Sequence, residues 1–132
     1  MNLSVPIPVS PLRILIVDDE PAILDVVEQF LETTGLAIVK APNGWEALRA
    51  FDDEKCDLVI SDRVMPGLSG VEFARAIKKR SPDTPVILIS GLLTAGIDAT
   101  PFDGFLPKPF SRNQLRSVVA GLLPDDPPSW KW

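Results

Sequence analysis

Apolar residues in this chain follow two patterns. Ile14-Leu15-Ile16-Val17, Leu58-Val59-Ile60 and Val86-Ile87-Leu88-Ile89 are unbroken runs. Runs of branched aliphatic residues without alternation predict strands buried on both faces, as in a parallel sheet covered by helices. Leu36 to Lys40 predicts a further strand after Gly35 closes a helix, and the short run Phe105-Leu106 predicts another. Between the runs the spacing becomes helical: Ile23, Val26, Val27, Phe30 and Leu31; Trp45, Leu48 and Phe51; Phe73, Ala74 and Ile77; Leu115, Val118, Val119 and Leu122. Each stripe reads as core.

Local chemistry marks where those helices begin. Ser69-x-x-Glu72 and Ser111-x-x-Gln114 are capping boxes, in which the hydroxyl accepts from an early amide while the acid or amide side chain reaches back. Asn43-x-x-Glu46 is a looser version, and Pro21 suits a first helical turn, where its missing N–H has no partner to lose. Strand and helix therefore alternate along the chain, which predicts a layered α/β domain.

Every strand run stops on a polar side chain. The first ends on Asp18-Asp19, the third on Ser61-Asp62, the fourth on Ser90, and the last on Pro107-Lys108-Pro109. Because ligands of parallel sheets bind outside the carboxyl ends of the strands, three carboxylates, a hydroxyl and an ammonium are expected on one rim. Carboxylates packed there repel one another, so they favour proton uptake or a cation, and an all-oxygen site suits the hard ion Mg²⁺. Taken singly, each group has a plainer reading: Asp18-Asp19-Glu20 as acids at a helix N-terminus, Ser90 as a strand end, Lys108 as a solvated lysine, Met65-Pro66-Gly67 as a turn.

Composition narrows the partners. The 132 residues, 45% hydrophobic, suit one domain. A net charge of −5 argues against direct DNA binding and leaves proteins or small phosphorylated compounds as partners. One cysteine, Cys56, and no histidine exclude an internal disulfide and leave no credible zinc site. Met1 to Pro11 has no basic start and is broken by prolines, unlike a signal peptide, and no apolar run is long enough to insert in a membrane, so a cytoplasmic protein is expected. The expected divisions are an N-terminal extension over 1–11, a domain over 12–123, and a proline-rich tail over 124–132.

Asp18-Asp19, Asp62, Ser90 and Lys108-Pro109, in that order, together with Asp62-Arg63-Val64-Met65-Pro66-Gly67-Leu68-Ser69-Gly70, resemble the receiver domain of bacterial two-component response regulators, the CheY-like superfamily. The resemblance covers roughly residues 12 to 123. It implies a flavodoxin-like (βα)5 three-layer sandwich with strand order 2-1-3-4-5. It also implies that Asp62 accepts a phosphoryl group from a phosphohistidine. Mg²⁺ would be held by Asp19, Asp62 and the Val64 backbone carbonyl, with Asp18 acting through a water, and Lys108 would hold the phosphoryl charge. Ser90 and Phe105 take the places of the family's switch pair, and the Lys108-Pro109 peptide is expected to be cis. Gly91 is small and should leave the site open. Since the chain has no histidine, a separate histidine kinase or histidine phosphotransfer protein must supply the group.

Some features depart from the pattern. Gly91 to Gly104 carries glycine or proline at four places and is short, which predicts a shortened or irregular fourth helix and leaves dimerisation open. Phe105 replaces the frequent tyrosine, and the tail after Leu123 carries Trp130 and Trp132, where an effector domain is not expected. The reading is a stand-alone phosphoacceptor receiver rather than an enzyme. The alternatives are a receiver-like interaction module that is never phosphorylated and, from the enzyme class, a phosphatase of the haloacid dehalogenase type, for which Asp18-x-Glu20 is a poor match. A flavodoxin-type flavin binder is set aside, because the loop after the first strand is acidic and contains proline.

Overall fold

The computed structural model describes residues 11–33, 35–91, 98–124 and 132. Strands β1 (Leu12–Val17), β2 (Leu36–Ala41), β3 (Leu58–Asp62), β4 (Val86–Ser90) and β5 (Gly104–Pro107) alternate with helices α1 (Pro21–Leu31), α2 (Gly44–Asp53) and α3 (Gly70–Arg80), and α4 (Arg112–Leu122) closes the order. The strands form one parallel sheet in the order β2-β1-β3-β4-β5, the flavodoxin-like arrangement expected.

Each central strand feeds two cores, because successive side chains leave opposite faces of a sheet. Leu15, Val17, Val59, Val86 and Leu88 pack with Ala47, Phe51, Phe73 and Ile77 on the side of α2 and α3. Ile14, Ile16, Leu58, Ile60, Ile87 and Ile89 pack with Leu24, Val27, Leu31, Leu115 and Val119 on the side of α1 and α4. β3 and β4 are buried along their whole length, which explains their unbroken apolar runs.

The predicted helix starts are observed. Ser69 and Ser111 complete both halves of their capping boxes, and the Asn43 side chain accepts from the Glu46 amide. Pro21 occupies the first turn of α1. Cys56, just ahead of β3, is buried.

Trp45 departs from expectation: it is 61% exposed rather than core. The inward positions of α2 are Gly44, Ala47, Leu48 and Phe51, and Trp45 lies about 100° around the helix from Gly44. Its indole instead covers Gly67, whose φ of +83° belongs to the left-handed region that glycine adopts readily. On α1, Leu24 takes a buried place that the sequence stripe did not include.

The expected irregular fourth helix falls largely on residues 92–97, outside the described residues. Residues 100–101 form a turn, closed by the Phe102 amide donating to the Ala99 carbonyl at 3.1 Å. No helix among the described residues is long and apolar enough to cross a membrane.

Gly70, the first residue of α3, is where the helix meets the strand that ends on Asp62. A Cβ at this position would fall on the Asp62 carbonyl oxygen and crowd the Arg63 backbone, whereas one at Gly121 in α4 would meet nothing within 4 Å among the described residues. Alanine ordinarily stabilises a helix over glycine by up to about 1 kcal/mol. Gly121→Ala should therefore gain a few tenths to about 1 kcal/mol, while Gly70→Ala should lose roughly 1–3 kcal/mol because backbone must move. Urea denaturation of the two variants checks the opposite signs.

Candidate functional site

Because β1 lies between β2 and β3, the loops after β1 and β3 leave the sheet side by side, and the loop after β5 returns across β4. One oxygen from each of Asp18, Asp19 and Asp62 lies within 4.8 Å of the others. Asp18 and Asp62 are buried, at 1% and 8% exposure, and Asp19 is exposed. Lys108 brings its Nζ to 3.3 Å from Asp62 Oδ1 and 4.0 Å from Asp18 Oδ2.

Backbone groups fix the two buried acids. Asp18 Oδ1 accepts from the Glu20 amide at 2.9 Å, and the Asp18 amide donates to the Ala41 carbonyl at 3.2 Å. Asp62 Oδ1 accepts from the Arg63 amide at 2.9 Å, while that loop is closed by the Gly70 amide on the Arg63 carbonyl at 3.0 Å. The amide bonds of Glu20 and Arg63 orient the two carboxylates, and the Glu20 amide also favours the charged form of Asp18.

Burial pushes the Asp18 carboxyl up to about 6, reinforced by the charges of Asp62 and Asp19 and opposed by the Glu20 amide and Lys108. A cluster that resists full ionisation in this way, made only of oxygen donors and open to solvent at Asp19, fits a hard divalent cation such as Mg²⁺. Val64 stands two residues beyond Asp62 at the mouth, 68% exposed.

The remaining sequence-selected residues surround this centre. The Lys108 amide donates to the Ser90 carbonyl at 2.9 Å, so the lysine is tied to the end of β4, and the Lys108-Pro109 peptide is cis. Ser90 is buried. Among the described residues, a Cβ on Gly91 would meet Lys108 Cβ at 3.9 Å, an ordinary contact distance. Phe105 is 38% exposed and lies against Phe102, ring centroids 5.7 Å apart. The sequence reading names Gly70 within the Asp62 run but gives it no role of its own, and it gives none to Phe102. The clue for Gly70 was glycine directly behind a helix cap, and for Phe102 an aromatic three residues before Phe105.

The response regulator receiver domain model matches residues 14–120. Response regulator MprA of Mycolicibacterium vanbaalenii is 34% identical over 125 residues, covering 88% of this chain and 54% of that protein. Transcriptional regulatory protein GlrR of Escherichia coli is 33% identical, covering 91% of this chain and 28% of that protein. The chain thus spans about half or less of the length of these relatives. Among solved structures, response regulator protein TrrA of Thermotoga maritima, in complex with Mg(2+)-BeF, is 38% identical with a TM-score of 0.79, covering 85% of this chain and 99% of that one. A receiver domain from Clostridium thermocellum is 33% identical with a TM-score of 0.76, covering 84% and 93%.

The raised Asp18 value has a signed consequence for stability without metal. Between pH 4 and 6, approximately, folded Asp18 keeps a proton that the unfolded chain, at 3.8, has released, so stability falls as pH rises through that window and levels off above it. The drop should be on the order of 2 kcal/mol. Melting temperatures in a chelator across this range should fall less steeply for Asp18→Asn than for the parent, and equal slopes would remove the proton from Asp18.

Proposed function

The chain belongs to the response regulator receiver domain family, and from that premise we propose that it is a phosphoacceptor: Asp62 takes a phosphoryl group from the phosphohistidine of a histidine kinase or histidine phosphotransfer protein in the cytoplasm, and the modified site alters protein contacts. The observation that carries this reading is the Lys108 ammonium set 3.3 Å from an otherwise acidic, buried Asp62. A nucleophilic carboxylate flanked by two others needs a fixed cation beside it before it can receive another anion.

Asp62 Oδ1 is held by the Arg63 amide and Lys108, so the attack falls to Oδ2. The new O–P bond forms as the P–N bond to the donor imidazole breaks, and the electron pair leaves with the nitrogen. Asp19, Asp62 and the Val64 carbonyl are the proposed direct ligands of Mg²⁺, with Asp18 acting through a water. When bound, the ion offsets negative charge on the carboxylates and on the phosphoryl oxygens. Lys108 takes up charge on the arriving group, and its amide bond to the Ser90 carbonyl links that movement to the end of β4. The Ser90 hydroxyl is proposed to donate to a phosphoryl oxygen and Phe105 to turn inward behind it, a local charge event biasing a two-state surface.

Incubation with acetyl phosphate and Mg²⁺ should give one phosphoryl adduct by intact-protein mass spectrometry, absent in Asp62→Asn and after chelation. An undiminished adduct in Asp62→Asn would remove Asp62 as acceptor, and no adduct in the parent would favour an interaction module that is never phosphorylated.

Lys108→Ala should fold and still bind Mg²⁺ but lose the response. Chemical shifts of Ser90 and Phe105 should move on adding beryllofluoride to the parent and stay near their starting values in the variant.

A further inference from the structure

Phe105 leans away from the residue it is proposed to follow. In register it pairs with Leu88, and Ser90 stands two residues further toward the carboxyl end of β4, where it pairs with Pro107. Two residues are about 6–7 Å of strand, and alternation puts Leu88, Ser90 and Phe105 on the same face of the sheet. Leu88 belongs to the core on the α2 and α3 side, while a Cβ on Gly104 and the Leu106 side chain face the α4 side, which fixes that assignment. Phe102 lies on the amino side of β5, because the next residue, Asp103, donates its amide to the Val86 carbonyl at the start of β4.

The Phe105 ring is packed on Phe102, centroids 5.7 Å apart and planes at 57°. Strand side chains lean along the strand direction. A ring leaning toward Phe102 leans toward the amino end of β5, and turning toward Ser90 must break the contact. Phe102 itself is 8% exposed and belongs to the α2 and α3 core, whereas Phe105 is 38% exposed. One ring is anchored and the other is movable.

We infer that Phe102 is a positioning residue that latches Phe105 outward and so sets how readily the domain responds to the phosphoryl group. This rests on the reading of Asp62 as phosphoacceptor and Phe105 as the moving ring. By linkage, whatever stabilises the outward ring weakens binding of a ligand that favours the inward one. A tilted aromatic pair supplies contact energy beyond the area it covers, and losing it corresponds to a shift of about two- to tenfold in a two-state equilibrium.

The test is titration of the full chain with beryllofluoride and Mg²⁺, using Phe102→Leu, Phe105→Leu and the double variant, with urea denaturation to establish that each folds. If Phe102→Leu is too unstable, Phe102→Met keeps a similar volume without the ring. Phe102→Leu should tighten apparent binding about two- to tenfold, and the same substitution in the Phe105→Leu background should change nothing. In the parent labelled with 4-fluorophenylalanine, the fluorine signal lost in Phe105→Leu identifies that ring. Phe102→Leu should move that signal toward its beryllofluoride-bound position before ligand is added.

Unchanged affinity in Phe102→Leu, or an equal change in both backgrounds, would overturn the latch while leaving the acceptor reading intact. Failure of the parent to bind beryllofluoride at all would overturn both.

Discussion

Asp18 and Asp62 carry like charges and are buried beside each other at the end of the sheet, with Asp19 completing the cluster. Nothing in a hydrophobic core favours that placement. It follows from the pairing of β1 with β3, in which Ile14 to Val17 match Leu58 to Ser61 residue for residue. Burial of those aliphatic pairs stabilises the sheet, and the acids arrive together because they are the next residues in each strand's chain. Burial, and after it the charges of Asp62 and Asp19, raise the Asp18 carboxyl, and the Glu20 amide and Lys108 offset part of that rise.

The rest of the rim is organised around keeping that cluster in place. Asp62 is steadied by the Arg63 amide, that loop is closed by Gly70 against the Arg63 carbonyl, and Ser69 caps α3 immediately before. A side chain larger than hydrogen at Gly70 has nowhere to go, so the approach of α3 to the strand that ends on Asp62 depends on one missing methyl group. On the other side, Lys108 reaches the acids from a loop whose backbone is bonded to Ser90. Charge at Asp62 and position at the end of β4 are thereby mechanically joined, which is the requirement for a site that reports its own modification.

Two aromatic residues illustrate how stability and response divide. Trp45 is large and exposed, covering Gly67 in the loop after Asp62, and Phe102 is buried yet touches the exposed Phe105. Neither role follows from residue type alone, since Phe102 and Phe105 are the same residue at 8% and 38% exposure.

From the sequence alone came the strand runs, the parallel sheet, the helix starts and the roster of rim residues. These are legible because burial on both faces demands unbroken aliphatic runs, capping is chemistry within four residues, and the polar groups directly follow the runs. The tertiary structure alone decided the distances among Asp18, Asp62 and Lys108, which depend on side chains from three different loops. It also decided that Gly44 and Ala47, not Trp45, face inward on α2, that Gly70 lies against the Asp62 carbonyl, and that Phe102 meets Phe105. Hydropathy patterns record which residues avoid water on average, and small residues leave little trace in them. Close approach and ring contact are properties of two surfaces brought together, and no single stretch of chain encodes both.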